Sequence, residues 1–415
     1  MSERADVVVI GGGVLGCSAA LHLKEAGAGE VLLLERDELA HGTSSAGAGF
    51  IGLWGAGYVG AWDGAEIELE RYGLEFYRQL AEAGYEFDYR SDGNLWAATN
   101  ADSWNSYIDA IARHPAVPDK LVLSADEVAE VTGIIEPDAI AGGVLHPDGG
   151  QVSAPKATLA IADRFTRAGG RIEVYRPVSR IIILRGRIVG VETSTGTIDT
   201  DAVVLAAGAW NNALLREHGI WLPAVPLVAS RLVTESLGVP PTMPTLMFQE
   251  FSFAWLREEQ GGLMWGCSYE GPPRYDFVEA DPPLALTEVT RVAIPGVQRV
   301  GSDMERIIPV LARARAVTVA QGAPTYTADL RALVGPQPGI DGLYVIAGCN
   351  EAGVTHGPGY GRLIADHMSG ARRTEAGMND FRIDRFDGTL TRPQDVVKAM
   401  NSLESIFSVG REENE

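Results

Sequence analysis

Cysteine is nearly missing from this chain of 415 residues: Cys17, Cys267 and Cys349 stand far apart, and no two form a CxxC pair. A disulfide scaffold, a dithiol redox centre and a cysteine-rich zinc site are thereby excluded, no metal is expected, and so few thiols suit a reducing cytoplasm. Basic residues are also short: 34 Lys and Arg face 55 Asp and Glu, a net charge of −21. That balance favours a dissolved protein and argues against nucleic acid or an anionic membrane as partner. No apolar run reaches the ~18 residues of a membrane span. The first residues, MSERADVVVIGGG, lack the charged-then-apolar order of a secretion signal, so no signal peptide is expected. With 46% hydrophobic and 21% charged residues, the remainder is ordinary globular composition, long enough for two domains.

What is present starts at residue 6. DVVVI reads as a buried parallel strand, SAALHLKEAG as a helix stopped by glycine, and EVLLLER as the next strand. Between the first two, Gly11, Gly13 and Gly16 form a GxGxxG turn that leads through Val14 and Leu15 into the helix. Gly11 permits the tight turn, Gly13 lets a pyrophosphate approach the backbone and the positive helix end, and Gly16 lets helix and strand pack closely. Glu35 ends the second strand, in the zone about 20 residues beyond the glycines where a carboxylate accepts from both ribose hydroxyls, with Arg36 beside it. Strand, glycines, helix, strand and acid in that order point to a bound dinucleotide.

After Glu35 comes a long run of small and hydroxylated residues, RDELAHGTSSAGAGFIGLWGAG. Such a loop can lie along a large cofactor: Thr43, Ser44 and Ser45 offer hydrogen bonds, Gly47 and Gly49 allow close backbone approach, and Gly42 and Ala48 belong to the same cofactor-binding run. Phe50, Ile51, Leu53 and Trp54 want burial, which argues against a free linker. Near the other end, LYVIAG is a buried strand, CNEAGVTHGPG a glycine-rich loop and YGRLIADHM a helix. The N–H groups at that helix start stabilise negative charge.

Three stretches together, GGGVLG…LLLER…HGTSSAGAG, DTDAVVLAAGAWNNAL (199–214) and DLRALVGPQPGIDGLYVIAGCNEAGVTHGPGYGRLIADHM (329–368), resemble the FAD-dependent amino-acid and amine oxidase superfamily over roughly residues 5–388. That group contains D-amino acid oxidase, glycine oxidase, sarcosine oxidase and dimethylglycine dehydrogenase. The resemblance implies an α/β fold, a Rossmann-like FAD-binding domain of the GR2 type interleaved with an antiparallel-sheet α+β substrate domain. The FAD domain would take 1–85, 145–215 and 325–385, the substrate domain 86–144 and 216–324, and a helical extension 386–415. Ala207, Gly208 and Trp210 fall at the family's turn under the FAD, Val178 would meet the adenine, and Gly353, Val354, Thr355 and His356 would hold the pyrimidine edge of the flavin. A disulfide-reductase layout would need a second dinucleotide fingerprint, which is missing. A hydroxylase would show a GD turn where AGCNEAG stands.

The chemistry implied is removal of a hydride from the Cα–H of a neutral amine to flavin N5, giving an imine that water hydrolyses, with O2 reduced to H2O2 or an electron carrier as acceptor. Arg331 matches the family arginine that grips a substrate carboxylate, and His356 could accept or donate a proton. Two departures from the glycine oxidases bear on the substrate: Glu351 aligns with their second arginine and Phe253 with their hairpin tyrosine. With Phe50, Trp255 and Trp265 they suggest a larger, partly apolar amino acid or N-substituted glycine, and an acid facing the pocket would favour an added amine or cationic group. Family members that bind flavin covalently use a cysteine or histidine where this chain has Arg331 and small loop residues, so FAD should be non-covalent. Alternatives on the same scaffold are a 2-hydroxy-acid oxidase using His356 as base, and a flavin subunit of a multi-chain dehydrogenase. The oligomeric state is left open.

Within the second domain, TLMFQEFSFAWLREEQGGLMWGCSYEG reads as a hairpin turning at Gly261–Gly262. Phe251, Phe253 and Trp255 would share one face by period two, and Leu263, Trp265, Cys267 and Tyr269 another. SDMERIIPVLARA reads as an amphipathic helix delimited or kinked by Pro309, and Val396, Val397, Met400, Leu403, Ile406 and Phe407 as an apolar helical face docked on the chain itself.

Overall fold

The computed structural model describes residues 3–53, 64–115, 117–251, 253–267, 285–290, 295–371, 379–386 and 388–407, with side chains through 402 except that of Val289. Two sheets organise them. The first has six strands in the order Leu333–Pro336, Leu343–Ala347, Val203–Leu205, Val7–Ile10, Val31–Leu34 and Arg171–Glu173. All pair in parallel except the edge strand Leu333–Pro336. Val7–Ile10 and Val31–Leu34 are buried along their whole length, as continuous β-branched and leucine runs dictate for a sheet covered on both faces.

The helix after the glycine turn, Val14–Glu25, is buried from Val14 through Leu23. It lies between the sheet and the closing helix, Gly353–Ser369, and small residues make that possible. A Cβ on Gly361 would stand 2.5 Å from the Ser18 carbonyl oxygen, so the two helices meet backbone to backbone. A third helix, Gly64–Glu82, crosses the start of the closing helix in the same way: a Cβ on Gly73 would stand 2.0 Å from the Thr355 oxygen.

The second sheet has eight strands, in the order Ala316–Gly322, Ala229–Thr234, Gly262–Gly266, Ala254–Glu259, Thr245–Phe248, Asn94–Ala98, Gly142–His146 and Leu121–Leu123. It is antiparallel but for one parallel pair, Thr245–Phe248 with Asn94–Ala98, so it is mixed rather than purely antiparallel. The hairpin is present, but Gln260 and Gly261 form its turn, at φ 52° and 80°, one residue earlier than the glycine pair suggested. Positive φ at both central residues matches the strand twist.

Two sequence patterns break. Gln249–Phe251 is a short 3-10 turn and Phe253 sits at φ 53°, so strict alternation starts only at Ala254. The expected helix across SDMERIIPVLARA is split. A helix covers Pro295–Asp303, and 3-10 turns cover Met304–Arg306 and Pro309–Arg313. Ile308, forced out of helical geometry ahead of Pro309, makes the break at φ −125° and ψ 80°.

The helix Pro393–Phe407 docks on its own chain. Val396 packs against Val225 and Ala328, and Met400 against Leu227, Tyr326 and Leu330. The side chains of Leu403, Ile406 and Phe407, together with Trp54 and Tyr269, lie outside the described residues. Among the described residues, no helix is long and apolar enough to cross a membrane, and no three His, Cys, Asp or Glu side chains are grouped to hold a metal ion.

Candidate cofactor and substrate site

Residues of both sheets line one continuous cavity of about 1000 Å³. At one end it meets the glycine turn. Gly11, at φ 112°, has no room for a side chain, since a Cβ would lie 2.5 Å from the Ala206 oxygen. Gly13 is different: only the Ser44 hydroxyl, at 3.1 Å, is near its missing Cβ, so the backbone is open to an approaching group. Gly13 is also the helix N-cap and brings no capping side chain, and the Ser44 hydroxyl accepts from the Val14 N–H at 3.0 Å. Gly16 does not line the cavity. Its missing Cβ would fall 1.9 Å from the Gly11 oxygen, so it serves the close packing of turn on helix.

Glu35 lines the same end and accepts from the Gly12 and Asp37 N–H groups, at 2.5 and 2.9 Å. Those two bonds hold the carboxylate in place. The Arg36 guanidinium stacks 4.5 Å above the Trp210 ring, and Val178, Ala207 and Gly208 complete this wall. A cradle that a Cβ would fill, a helix start whose N-cap carries no side chain and a fixed acid together fit the adenosine diphosphate half of FAD.

The middle is formed by the loop from Gly42 through Thr43, Ser44, Ser45 and Ala48 to Gly49. Thr43–Ala46 is a single 3-10 turn whose Thr43 hydroxyl accepts from the Ala323 N–H at 3.1 Å. Gly49, at φ 79°, has the Val152 oxygen 1.9 Å from where a Cβ would be. Two arginines of the eight-stranded sheet clasp this loop. Arg257 Nε donates to the Ala48 oxygen at 2.7 Å, and Arg231 Nη2 to the Ser45 oxygen at 3.2 Å. Burial pulls the Arg257 guanidinium down to about 10, still charged at neutral pH. Opposite the loop, the closing helix starts with Gly353, Val354 and Thr355 on the cavity. Tyr77 OH donates to the Val354 oxygen at 2.8 Å and Thr355 Oγ1 to the Phe50 oxygen at 3.0 Å, which fixes that helix start.

The far end is aromatic. Phe50 and Trp255 meet edge to face at 5.0 Å, with Phe253 and Met247 beside them on the wall. Glu351 also lines it, at φ 67°. Its side chain is exposed along the cavity, within a wall dense in protein atoms. Burial pushes its carboxyl up to about 6, against a hydrogen bond from the Tyr326 hydroxyl that lowers it.

Besides Gly16, three expected site residues are not among those lining the cavity. Arg331 Nε lies 3.8 Å from the carboxylate of the buried Glu66, so its charge is engaged by an acid of the chain and does not project from the cavity wall. His356 is buried in the first turn of the closing helix. Its Nδ1 is 2.9 Å from the Tyr360 hydroxyl, its Nε2 is 3.4 Å from Glu70, and burial lowers it to about 3. A carboxylate so close would ordinarily raise an imidazole, while desolvation, the dominant effect here, favours the neutral ring. Trp265 is core: its indole N–H donates to the Val297 oxygen at 3.0 Å and its ring covers Gly301. Trp265 faces the helix Pro295–Asp303, whereas Cys267, two residues on, reaches the cavity.

Other residues went unread in the sequence. Arg231, Arg257 and Tyr326 carry no motif. Glu66 and Glu70 had a usable signal: they fall on the stripe 66, 69, 70, 73, 76, 77, 80 that the helix buries, where acids are out of place.

A family model described as FAD dependent oxidoreductase (DAO) matches residues 6–367. The chain is 29% identical over 408 residues to 4-methylaminobutanoate oxidase (formaldehyde-forming) of Paenarthrobacter nicotinovorans, covering 94% of this chain and 46% of that one. It is 27% identical over 375 residues to the mitochondrial pyruvate dehydrogenase phosphatase regulatory subunit of Mus musculus, covering 89% and 42%. It thus spans less than half the length of these curated relatives. The crystal structure of glycine oxidase from Geobacillus kaustophilus has the same fold, with a TM-score of 0.77 at 24% identity over 92% of this chain and 99% of that one. The glycine turn, the fixed acid and the match across both sheets agree: the chain belongs to the DAO family of FAD-dependent oxidoreductases.

Proposed function

We propose that the protein oxidises the C–N bond of an amino acid or N-substituted glycine to an imine, which water hydrolyses. One observation carries this: the flavin-sized middle of the cavity is continuous with an aromatic chamber where, among the described residues, one acid stands, Glu351. Similarity to an oxidase of a methylamino acid supports the same substrate class. FAD when bound supplies the two-electron acceptor for the substrate hydride. The chain's residues do the rest. Gly13 and the helix start receive the pyrophosphate and Glu35 the ribose hydroxyls. The start of the closing helix at Gly353–Thr355 favours negative charge beside it. Phe50, Phe253 and Trp255 exclude water and hold the apolar part of the substrate.

Anaerobic mixing of the purified protein with glycine, N-alkyl glycines, D- and L-amino acids and 2-hydroxy acids, followed at the oxidised flavin band, tests this. Bleaching by N-alkyl glycines faster than by glycine is expected, and absence of bleaching by any amine overturns the reading. That last outcome would favour a second reading, a flavin-bearing subunit without turnover, which the likeness to a regulatory subunit supports. The hydroxy-acid alternative loses its base, because His356 lies off the cavity. Air against an artificial electron acceptor in the same assay separates O2 from a carrier. FAD is held without a covalent bond in this proposal, so acid-precipitated protein should be colourless and its supernatant yellow. A cytoplasmic location fits the sparse cysteines.

A further inference from the structure

Within the aromatic end of the cavity, Glu351 is displayed rather than accommodated. It and Asn350 both adopt left-handed backbone, at φ 67° and 47°. Such geometry is unfavourable at a non-glycine residue and persists only where surrounding structure enforces it. The enforcement is visible. The Asn350 N–H donates to the Thr325 oxygen at 3.1 Å, its side-chain oxygen accepts from the Thr327 N–H at 3.0 Å, and its side-chain NH2 donates to the Gly348 oxygen at 2.6 Å. The next residue, Ala352, packs in the cluster that holds Phe50, Phe253 and Trp255. One acid therefore lines the same cavity as these aromatic rings, one residue from their cluster, and among the described residues no cation pairs with it. An acid beside aromatic rings is the chemistry that receives an alkylammonium ion.

We propose that Glu351 seats the protonated nitrogen of a secondary or tertiary N-alkyl amine and takes its proton before the C–H bond breaks. This rests on the amine-oxidising reading above. The step balances: an N–H bond of the ammonium breaks, an O–H bond forms on a Glu351 oxygen, and no electrons change hands. An ion pair becomes two neutral groups, which a desolvated cavity favours. The nitrogen lone pair is then free to stabilise the imine that forms. The titratable groups facing Glu351 are the Tyr326 phenol, on the neighbouring strand, and the Cys349 thiol of its own loop. Burial holds that thiol up at about 11, so it stays protonated. The strand's other neighbours, Leu330 and Met400, are apolar.

The test compares FAD-loaded parent, Glu351→Gln and Glu351→Asp by anaerobic stopped flow with N-methylglycine and N-methylpropylamine between pH 6 and 10. Tetramethylammonium, which has no proton to give, serves as a spectroscopic binding probe. The Gln variant should keep its flavin spectrum, weaken tetramethylammonium binding and raise the amine KM at least ~10-fold. Its reduction rate should rise with pH towards the pKa of the free amine, since only neutral amine then reacts. The Asp variant should recover part of both. Tyr326→Phe, which removes the donor that lowers the carboxyl, should move the acidic limb of the parent profile upwards. A Gln variant with the parent's KM, pH profile and tetramethylammonium affinity overturns this proposal alone. A parent that no amine reduces overturns both it and the proposed function.

Discussion

Replacing Arg257 by methionine should loosen the flavin loop from the sheet above it. Arg257 is 4% exposed. Its Nε–H donates to the Ala48 oxygen at 2.7 Å, and its Nη1 donates to the Glu258 oxygen at 3.2 Å and lies 2.8 Å from the Glu259 carboxylate. A charge-assisted bond to this part-buried carbonyl contributes about 1.5–3 kcal/mol, and the orphaned carbonyl adds a smaller desolvation cost because the cavity adjoins it. The Glu259 pair is part-exposed and adds less than ~1 kcal/mol. Together the substitution should cost about 3–5 kcal/mol. For a chain of 415 residues unfolding as one unit, the entropy of melting converts that to a Tm lower by about 4 °C. FAD binding should weaken as well, since Ala48 lines the cavity. Arg257→Lys keeps the charge but loses the fork, so it should fall between the two. Differential scanning fluorimetry of loaded and stripped protein reads stability, and fluorescence titration with FAD reads affinity. If the methionine variant melts within about 1 °C of the parent and binds FAD equally well, the clasp does not hold the loop.

Gly49→Ala should destabilise by at least ~2 kcal/mol, because φ 79° disfavours a side chain and the new Cβ would lie 1.9 Å from the Val152 oxygen; urea unfolding checks it. Trp210→Ala should raise the FAD Kd several-fold by removing the ring on which Arg36 stacks, read by titration of the stripped protein. Burial lowers His22 to about 4 and His356 to about 3, from an ordinary value near 6.5. Both are neutral in the folded and unfolded chain above 6.5, so stability is full there. Below it the unfolded chain takes up protons that the folded chain refuses, and stability falls until pH nears 4 and 3. Urea midpoints at pH 7.5 and 5 should differ less in His22→Gln than in the parent; an unchanged difference refutes the assignment.

The sequence by itself determined the dinucleotide half of the site. Glycines at 11, 13 and 16, an acid at 35 and continuous apolar strands act through backbone and local geometry, which short-range order encodes. The loop 42–49 and the start of the closing helix were legible for the same reason, and all their expected residues except His356 line the cavity. Tertiary structure alone decided which long side chains reach the substrate end. Arg331 and His356 sit next to lining residues in sequence, yet Glu66 and Glu70, about 250 residues or more away along the chain, lie beside them in the fold. Arg231 and Arg257 gained their role only when a sheet strand packed over a loop some 200 residues earlier. A side chain's charge is local, but its partner is chosen by packing, and packing joins segments whose order no motif records.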